Sequence, residues 1–302
     1  MSQGILHRYG YNLTAFEFTT HPTKKIDNVL ICIGGLGDGL LDVPWVPRLL
    51  QQIELVNSDK KPEERWVVVQ ALVRSSYQGW STSSLDNDIE DLAKLVEYLR
   101  NQNRTKIVLA GHSTGSQDVL KYISSRLHDS NAKHLVDGGI LQAGVSDVQS
   151  MNSGLKAGEL EELCLHVKTE YLDLGKDQEI LPLKFRKIAF GTPITASRFY
   201  SIAKEKGTED FFSSYLTAED HKSTWGKVDK PILVLPGLKD EFVPKTTDQS
   251  ILLEDWKQAT NPQYWSNLSH VIKGANHKID RRSDEGAMED IVTTIVKFLE
   301  SI

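Results

Sequence analysis

Two glycines flank a serine in the pentapeptide Gly111-His112-Ser113-Thr114-Gly115, which lies between segments of different periodicity. Residues 106–110 before it are apolar and rich in β-branched side chains, which predicts a buried strand. Residues 116–123 after it carry apolar side chains at helical spacing. A chain that passes from strand to helix in so few residues leaves almost no room for side chains beside the turn, and glycine meets that need. The pattern therefore predicts a strand–turn–helix unit with the Ser113 hydroxyl exposed above the sheet.

The rest of the chain repeats this alternation of strands and helices. Apolar runs that predict buried strands lie at 28–33, 66–70, 136–143, 231–236 and 268–272. Amphipathic helices are predicted at 46–53, 85–99 and 291–299, the second with Ser84 as its N-cap. The aromatic, partly alternating segment 8–19 predicts leading antiparallel strands. Because buried strands separated by helices pair in parallel, we expect an α/β fold, with a mostly parallel central sheet and helices on both faces.

Residues 147–228 interrupt this alternation. The segment is polar, shows helical spacing at 155–174 and 196–215, and contains no run that predicts a central strand. An insertion of this length between two core strands projects from the carboxyl edge of the sheet, where folds of this kind bind ligands. We therefore expect one domain, 1–302, in which 147–228 forms a helical cap over the site rather than a second domain.

Composition argues against several classes of partner. Of the 302 residues 39% are hydrophobic, and the net charge of −6 arises from interspersed acids and bases, which is unlike a nucleic-acid-binding surface. The longest apolar runs are too short to span a membrane. The first residues show no secretory pattern, and Cys32 and Cys164 are expected to be unpaired thiols in a reducing compartment, which predicts a cytoplasmic location. The sequence does not indicate an oligomeric state.

A strand, Gly-x-Ser-x-Gly and a helix together make the nucleophile elbow of α/β-hydrolases, whose partner residues follow in the order serine, acid, histidine. A serine hydroxyl needs a base to take its proton and a carboxylate to orient that base. Asp240 follows the strand at 231–236 and is preferred to its neighbour Glu241 because of its spacing from Gly237. His277 lies in a loop before the last helix and is the expected base. His270 falls inside a predicted strand and is expected to be structural.

The tetrahedral intermediate of such a reaction needs two donors for its oxyanion. One is expected to be the backbone N–H of Thr114, directly after the serine. The other is expected from the loop Gly34-Gly35-Leu36-Gly37 after the first parallel strand, at the N–H of Leu36. The alternative is that these glycines only make a tight turn. Tyr77 and Trp80 are expected to line the substrate pocket, because their loop follows a core strand at its carboxyl end.

The sequence predicts no cofactor or metal site. The loop at 34–39 does not fit the dinucleotide-binding pattern Gly-x-Gly-x-x-Gly, and no Walker motif is present. Cysteines and histidines lack the spacing of a metal site. We therefore expect chemistry that uses side chains and backbone alone.

Four segments resemble the DUF1749 family of mainly fungal α/β-hydrolases. They are Ile33-Gly34-Gly35-Leu36-Gly37-Asp38-Gly39, Leu72-Val73-Arg74-Ser75-Ser76-Tyr77-Gln78-Gly79-Trp80, Gly111-His112-Ser113-Thr114-Gly115-Ser116-Gln117-Asp118 and Asp240-Glu241-Phe242-Val243-Pro244. The family includes intracellular esterases that open ester bonds of fusarinine-type siderophores. The resemblance covers nearly the whole chain and implies a triad of Ser113, Asp240 and His277 under a helical cap.

These observations predict a serine hydrolase that cleaves a carboxylic ester of a small or medium-sized metabolite through an acyl-serine. A fusarinine-type siderophore ester is one candidate substrate. A thioesterase or an amidase with the same triad is an alternative enzyme. A non-catalytic binding protein on the same fold is the alternative from another class, against which the complete set of serine, acid and histidine argues.

Overall fold

A seven-stranded sheet lies at the centre of the computed structural model, which describes residues 2–19 and 26–302. The strands are β1 (Gly4–Gly10), β2 (Leu13–Phe18), β3 (Asn28–Ile33), β4 (Trp66–Leu72), β5 (Ile107–His112), β6 (Gly138–Gln142) and β7 (Ile232–Leu235). Their order across the sheet is β1-β2-β4-β3-β5-β6-β7. Strands β4, β3, β5, β6 and β7 are parallel neighbours, whereas β1 and β2 pair antiparallel at one edge. The mostly parallel sheet and its leading antiparallel strands are thus confirmed.

Helices cover both faces of this sheet. They are α1 (Trp45–Asn57), α2 (Leu85–Asn101), α3 (Thr114–Ser124), α4 (Asp147–Asn152), α5 (Glu159–Glu170), α6 (Leu183–Arg186), α7 (Ala196–Ala203), α8 (Ala218–His221), α9 (Gln249–Ala259) and α10 (Ala287–Ser301). Apolar side chains of α2, α3 and α9 pack on one face, and those of α1 and α10 pack on the other. This is the architecture of an α/β-hydrolase, as predicted.

Helix α2 shows why helices with a periodic apolar pattern could be predicted from the sequence. Its apolar positions fall on one face, so that Leu85, Leu92 and Leu99 are fully buried against the sheet. Its first turn is capped by Ser84, whose side chain accepts a hydrogen bond from the backbone N–H of Asn87 at 3.2 Å. The N-cap removes one of the unpaired donors that every helix start leaves.

The prediction of a strand at 268–272 is wrong. Only Ile272 makes an isolated parallel bridge there, to Gly237. The reason lies in the partner strand: the backbone N–H of Val234 donates to the hydroxyl of Ser269 at 3.0 Å rather than to a backbone carbonyl. A side chain therefore occupies a position in the ladder, and regular pairing does not develop.

Residues 147–228 contain helices joined by irregular segments and divide into two packing environments. Buried side chains from Val148 to Ala203 form their own apolar cluster, which also includes Trp80. Phe211 and Phe212, by contrast, pack into the core cluster beside the sheet. The helix predicted at 196–215 ends at Ala203 as α7, and the one predicted at 155–174 is shortened to α5. Within the described ranges, no helix has the length and apolar character needed to cross a membrane.

Candidate active site

The turn between β5 and α3 carries Ser113 at its tip. Ser113 has a positive φ of 56°, which side chains adopt only under constraint, and α3 begins at the next residue. A Cβ atom at Gly111 would lie 2.0 Å from the carbonyl oxygen of Gly115, and one at Gly115 would lie 2.6 Å from the carbonyl oxygen of Ile33. Neither position can carry a side chain. The close approach of strand and helix explains why glycine flanks this serine.

Three side chains from separate loops meet at this turn. The Nε2 atom of His277 lies 2.9 Å from the Oγ atom of Ser113, and its Nδ1 atom lies 2.7 Å from Oδ2 of Asp240. Asp240 follows β7, and His277 lies in the loop before α10. Asp240 and His277 are buried, while Ser113 is partly exposed to the cavity above it. The geometry allows a proton to pass from the serine hydroxyl to an imidazole that a carboxylate orients.

Contacts on several sides fix the His277 ring and backbone. The Phe242 ring meets it edge-on with centroids 4.6 Å apart, and the His112 ring lies 4.9 Å away at a tilt. The backbone N–H of His277 donates to Oε2 of Glu241 at 2.9 Å. Glu241, the alternative acid in the sequence, therefore contacts the main chain of His277 rather than the ring of His277.

A buried layer of polar side chains supports the site from below. The Trp45 indole N–H donates to Oε1 of Gln142 at 3.0 Å, and Nδ1 of His112 lies 2.6 Å from the same oxygen. Because an indole can only donate, the shared atom must be an acceptor, and His112 must carry its proton on Nδ1. Burial, followed by the charge of His277, lowers the pKa of His112 to about 3. His112 is therefore neutral at working pH and does not compete with His277 as a base.

Gln142 also contacts the loop of His277 directly. Its Nε2 atom donates to the backbone carbonyl of His277 at 3.2 Å. This residue ends β6, next to β5 and the elbow. Nothing in the local sequence marks Gln142, because a glutamine at the end of a strand is not by itself a signal of function.

The two backbone donors expected for an oxyanion lie beside the serine. Leu36 and Thr114 both line the cavity above Ser113. Within the described ranges, the N–H of Leu36 makes no hydrogen bond to protein, and the N–H of Thr114 opens α3, where helical acceptors are absent. The backbone of Gly35 packs so closely on Ser113 that a Cβ there would lie 2.7 Å from the serine Cβ.

A cavity of about 490 Å³ opens above these residues. Tyr77 and Trp80 both line it, at the positions expected from the sequence. Phe190 and Thr192 reach the same cavity from segment 147–228, and the Phe190 ring meets Trp80 edge-on with centroids 6.4 Å apart. Trp80 is buried and Tyr77 is half exposed. The opening is therefore walled by aromatic rings from both the sheet side and the inserted segment.

Three charged residues at this cavity were not singled out by the sequence. Asp38 and Lys278 lie 2.5 Å apart through Oδ1 and Nζ, and Asp147 accepts a hydrogen bond from Gln117 at 2.9 Å. Burial raises the pKa of Asp147 to about 6. Lys278 directly follows His277 and Asp38 lies in the glycine loop, so adjacency to motif residues was the available signal.

Other candidate positions do not join the site. His270 donates through Nε2 to Oδ2 of Asp290 in α10, at 3.0 Å. A larger groove of about 700 Å³ is lined by Phe18, Leu50 and Trp66, away from Ser113. In residues 2–19 and 26–302, no group of three or more His, Cys, Asp or Glu side chains is arranged to hold a metal ion.

Comparison with known proteins finds relatives that match nearly the full length of this chain. UPF0613 protein PB24D3.06c of Schizosaccharomyces pombe is 35% identical over 318 residues, covering 99% of this chain and 97% of that protein. Fusarinine C esterase sidJ of Aspergillus fumigatus is 29% identical over 99% of this chain and 96% of its own length.

A solved structure shares the fold of this chain over its full length. The siderophore hydrolase EstB of Aspergillus fumigatus superposes with a TM-score of 0.79 at 28% identity, covering all of this chain and 98% of that one. Together, the relatives and the fold support an ester-cleaving hydrolase. The model of the family described as "Protein of unknown function (DUF1749)" matches residues 1–300. The chain therefore belongs to the DUF1749 family.

Proposed function

We propose that this protein is a serine hydrolase that cleaves a carboxylic ester through an acyl-serine intermediate. One observation carries the proposal: a single imidazole, that of His277, lies within hydrogen-bond distance of both the Ser113 hydroxyl and the Asp240 carboxylate. A hydroxyl held in this way loses its proton to the ring as it attacks, and the carboxylate stabilises the imidazolium that forms.

The reaction proceeds in two halves. Ser113 Oγ attacks the ester carbonyl while His277 takes its proton, and the tetrahedral intermediate collapses as His277 gives that proton to the departing alkoxide. An acyl-serine and a free alcohol result. A water molecule then repeats the attack, with His277 again as base, and releases the carboxylic acid and the free serine.

The backbone N–H groups of Leu36 and Thr114 hold the oxyanion in both tetrahedral intermediates. Their support is that both residues line the cavity at Ser113 and that the N–H of Leu36 is unpaired within the described ranges. A backbone donor fixed before the reaction costs no reorganisation when charge develops on the carbonyl oxygen.

Segment 147–228 acts as a cap that shapes the substrate pocket. Phe190 and Thr192 support this role, because they contribute to the wall of the cavity. The substrate is the ester of a small or medium-sized metabolite. A fusarinine-type siderophore is the first to test, since one relative is named a fusarinine C esterase and one solved structure a siderophore hydrolase.

A substrate panel tests the proposal. Purified protein is assayed with p-nitrophenyl esters of rising chain length, with matched thioesters and anilides, and with ferric and iron-free fusarinine C. Ser113→Ala is run beside Ser125→Ala, whose serine is exposed at the end of α3. We expect ester turnover that Ser113→Ala lowers by several orders of magnitude and Ser125→Ala leaves unchanged.

The outcomes separate the alternatives. Faster turnover of thioesters or anilides than of esters would identify the thioesterase or amidase. Fusarinine binding without turnover of any ester would identify a binding protein on a hydrolase fold. Near-normal ester turnover by Ser113→Ala would overturn the assignment of the nucleophile.

A further inference from the structure

We propose that Asp38 and Lys278 form a positioning pair that fixes the oxyanion loop, residues 34–39, against the loop that carries His277. The proposal rests on the proposed function, since it concerns the donor that Leu36 supplies. Neither residue contacts the reacting atoms in the proposed reaction. Their effect is exerted through the position of the Leu36 N–H.

Asp38 closes the turn that contains Leu36. Its buried carboxylate accepts a hydrogen bond from the backbone N–H of Gly35 through Oδ2, at 2.9 Å. Its own backbone N–H donates to the Gly35 carbonyl at 3.0 Å. Leu36 lies between these two anchored residues, so the direction of its N–H follows from the position of the Asp38 carboxylate.

Lys278 attaches this turn to the base. Its ammonium lies 2.5 Å from Oδ1 of Asp38, the carboxylate oxygen that Gly35 does not use. Lys278 is the residue after His277, and it lies 240 positions from Asp38 in the chain. One ion pair therefore links the loop that holds the proposed base to the loop that holds the proposed oxyanion donor.

The burial of the Asp38 carboxylate makes the loss of its partner costly. The Asp38 side chain is 5% exposed, whereas the Lys278 side chain is 39% exposed at the cavity wall. A carboxylate held out of water depends on its charged partner far more than a surface carboxylate does. The other titratable side chain near this carboxylate is His112, whose Nε2 lies 3.9 Å from Oδ2 of Asp38 and whose ring is neutral. Within the described residues, the buried carboxylate without Lys278 would keep only the backbone donor of Gly35.

A small displacement of the loop reaches the reaction directly. The Gly35 backbone packs on Ser113, so the loop and the serine share a surface with no space to absorb a shift. A displacement of ~1 Å at a catalytic group lowers the rate by up to ~100-fold. Loss of the ion pair is therefore expected to affect the transition state more than the binding of the substrate.

An alternative role for Lys278 is to bind an anionic group of the substrate, since it lines the cavity. The two roles differ in their kinetics. An anion subsite affects KM for anionic substrates and has no effect on a neutral ester. A positioning pair lowers kcat for neutral esters as well, with little change in KM.

The experiment compares Lys278→Met with Lys278→Arg and with Lys273→Met. Lys273 is an exposed lysine in the same loop, so its variant removes the same charge without touching the pair. With a neutral p-nitrophenyl ester, we expect Lys278→Met to lower kcat by ~10- to 100-fold with KM within ~2-fold. Lys278→Arg is expected to recover most of that loss, and Lys273→Met to match wild type.

A trifluoromethyl ketone provides the readout that a merely structural role would not change. It forms an oxyanion on the serine, so its inhibition constant is expected to rise in Lys278→Met in parallel with the fall in kcat. The inhibition constant of the product alcohol, which has no oxyanion, is expected to stay within ~2-fold. Asp38→Asn is expected to give the same signature, and the double variant to be no slower than the worse single one.

Two results would overturn the proposal: an unchanged kcat in Lys278→Met, or equal weakening of both inhibitors. Both are interpreted only while wild type turns over the ester and Ser113→Ala does not. If wild type itself is inactive, the proposed function has failed. If Lys278→Met does not fold, as judged by circular dichroism and thermal unfolding, the comparison is made with Lys278→Gln, and the same two results decide.

Discussion

The backbone N–H of His277 donates to the side chain of Glu241 at 2.9 Å, whereas the ring of His277 is contacted by the preceding acid. The two adjacent carboxylates thus contact different groups of His277: Asp240 the ring, and Glu241 the main chain. The Asp240 side chain is 1% exposed and that of Glu241 is 40% exposed, with Arg282 at 3.2 Å from the latter. One acid orients the imidazole, and the other holds the loop in which the imidazole stands.

The two acids are therefore expected to differ in their effect on turnover. Asp240→Asn presents an amide to Nδ1 of His277 and favours the wrong tautomer, so kcat is expected to fall by ~10³- to 10⁴-fold. Glu241→Gln keeps a carbonyl oxygen that can accept from the His277 N–H, and its kcat is expected to stay within ~10-fold of wild type. Steady-state kinetics on one ester measure both. A larger loss in Glu241→Gln would assign the orienting acid to residue 241.

His277→Ala is expected to be as inactive as Ser113→Ala, and the double variant no slower than either. Residues that act as one unit have effects that do not add. The matched control is His270→Ala, because His270 contacts Asp290 instead of the site. A double variant much slower than both single ones would point to a second base.

Two buried carboxylates, one in α2 and one in α3, contribute to the stability of the protein in a pH-dependent way. Burial raises the pKa of Asp88 to about 6 and also raises that of Asp118. A raised pKa means that the native state binds these protons more tightly than the unfolded state, so the contribution of Asp88 to stability falls as pH rises from about 4 through 6. Groups with lowered pKa values act in the opposite direction: at lower pH the carboxylates of Glu17 and Asp91, and in an overlapping pH range the buried rings of His112 and His221.

Asp88→Asn removes one of these protonation sites. Its free energy of unfolding at pH 8 is expected to exceed that of wild type by at most ~3 kcal/mol, and this difference between variant and wild type is expected to shrink as pH falls from ~7.5 to ~4.5. Urea unfolding at several pH values measures both, with the exposed Asp255→Asn as control. A difference that stays constant, or that grows as pH falls, would contradict the sign of the effect.

Arg198 in α7 is a fully buried cation that contacts the loop of Trp80, a residue of the cavity wall. Its guanidinium pairs with Glu209 and donates through Nε to the carbonyl of Trp80 at 2.9 Å. Arg198→Met leaves the Glu209 carboxylate buried and unpaired, so a loss of ~3–5 kcal/mol in unfolding free energy is expected. Arg186→Met, on an exposed residue of α6, is expected to stay within ~0.5 kcal/mol. Equal stability of the two variants would show that the buried pair contributes nothing.

The sequence predicted the regular parts of the fold because each carries a local signal. Uninterrupted apolar runs predicted β3, β4, β5, β6 and β7, and one apolar face predicted α2 with its cap at Ser84. The strand expected at 268–272 does not form. The hydroxyl of Ser269 accepts the hydrogen bond that the Val234 N–H would donate to a backbone carbonyl in a regular ladder, and no local sequence pattern indicates this. Helix α7 ends at Ala203 because residues 204–210 are polar and include Gly207, and the next apolar residues, Phe211 and Phe212, pack into the core cluster beside the sheet.

The candidate site was predictable where residues stand in motifs. Ser113, Asp240 and His277 each follow a strand or precede a helix in a recognisable order, and the structure brings their side chains together. The contacts of Lys278 with Asp38, or of Phe190 with Trp80, depend on how distant segments pack. No local pattern encodes such a contact, so Tyr77 and Trp80 were predictable as parts of the pocket wall, whereas the contribution of Phe190 was not.

Covalent labelling tests whether Ser113 is a nucleophile activated by His277. Wild type, Ser113→Ala and His277→Ala are treated with a fluorophosphonate, digested and examined by mass spectrometry. We expect one phosphonate per wild-type chain, located on the peptide that contains Ser113, with no adduct there in Ser113→Ala and a greatly slowed reaction in His277→Ala. An adduct on another residue, or labelling of Ser113 that proceeds equally fast without His277, would contradict it.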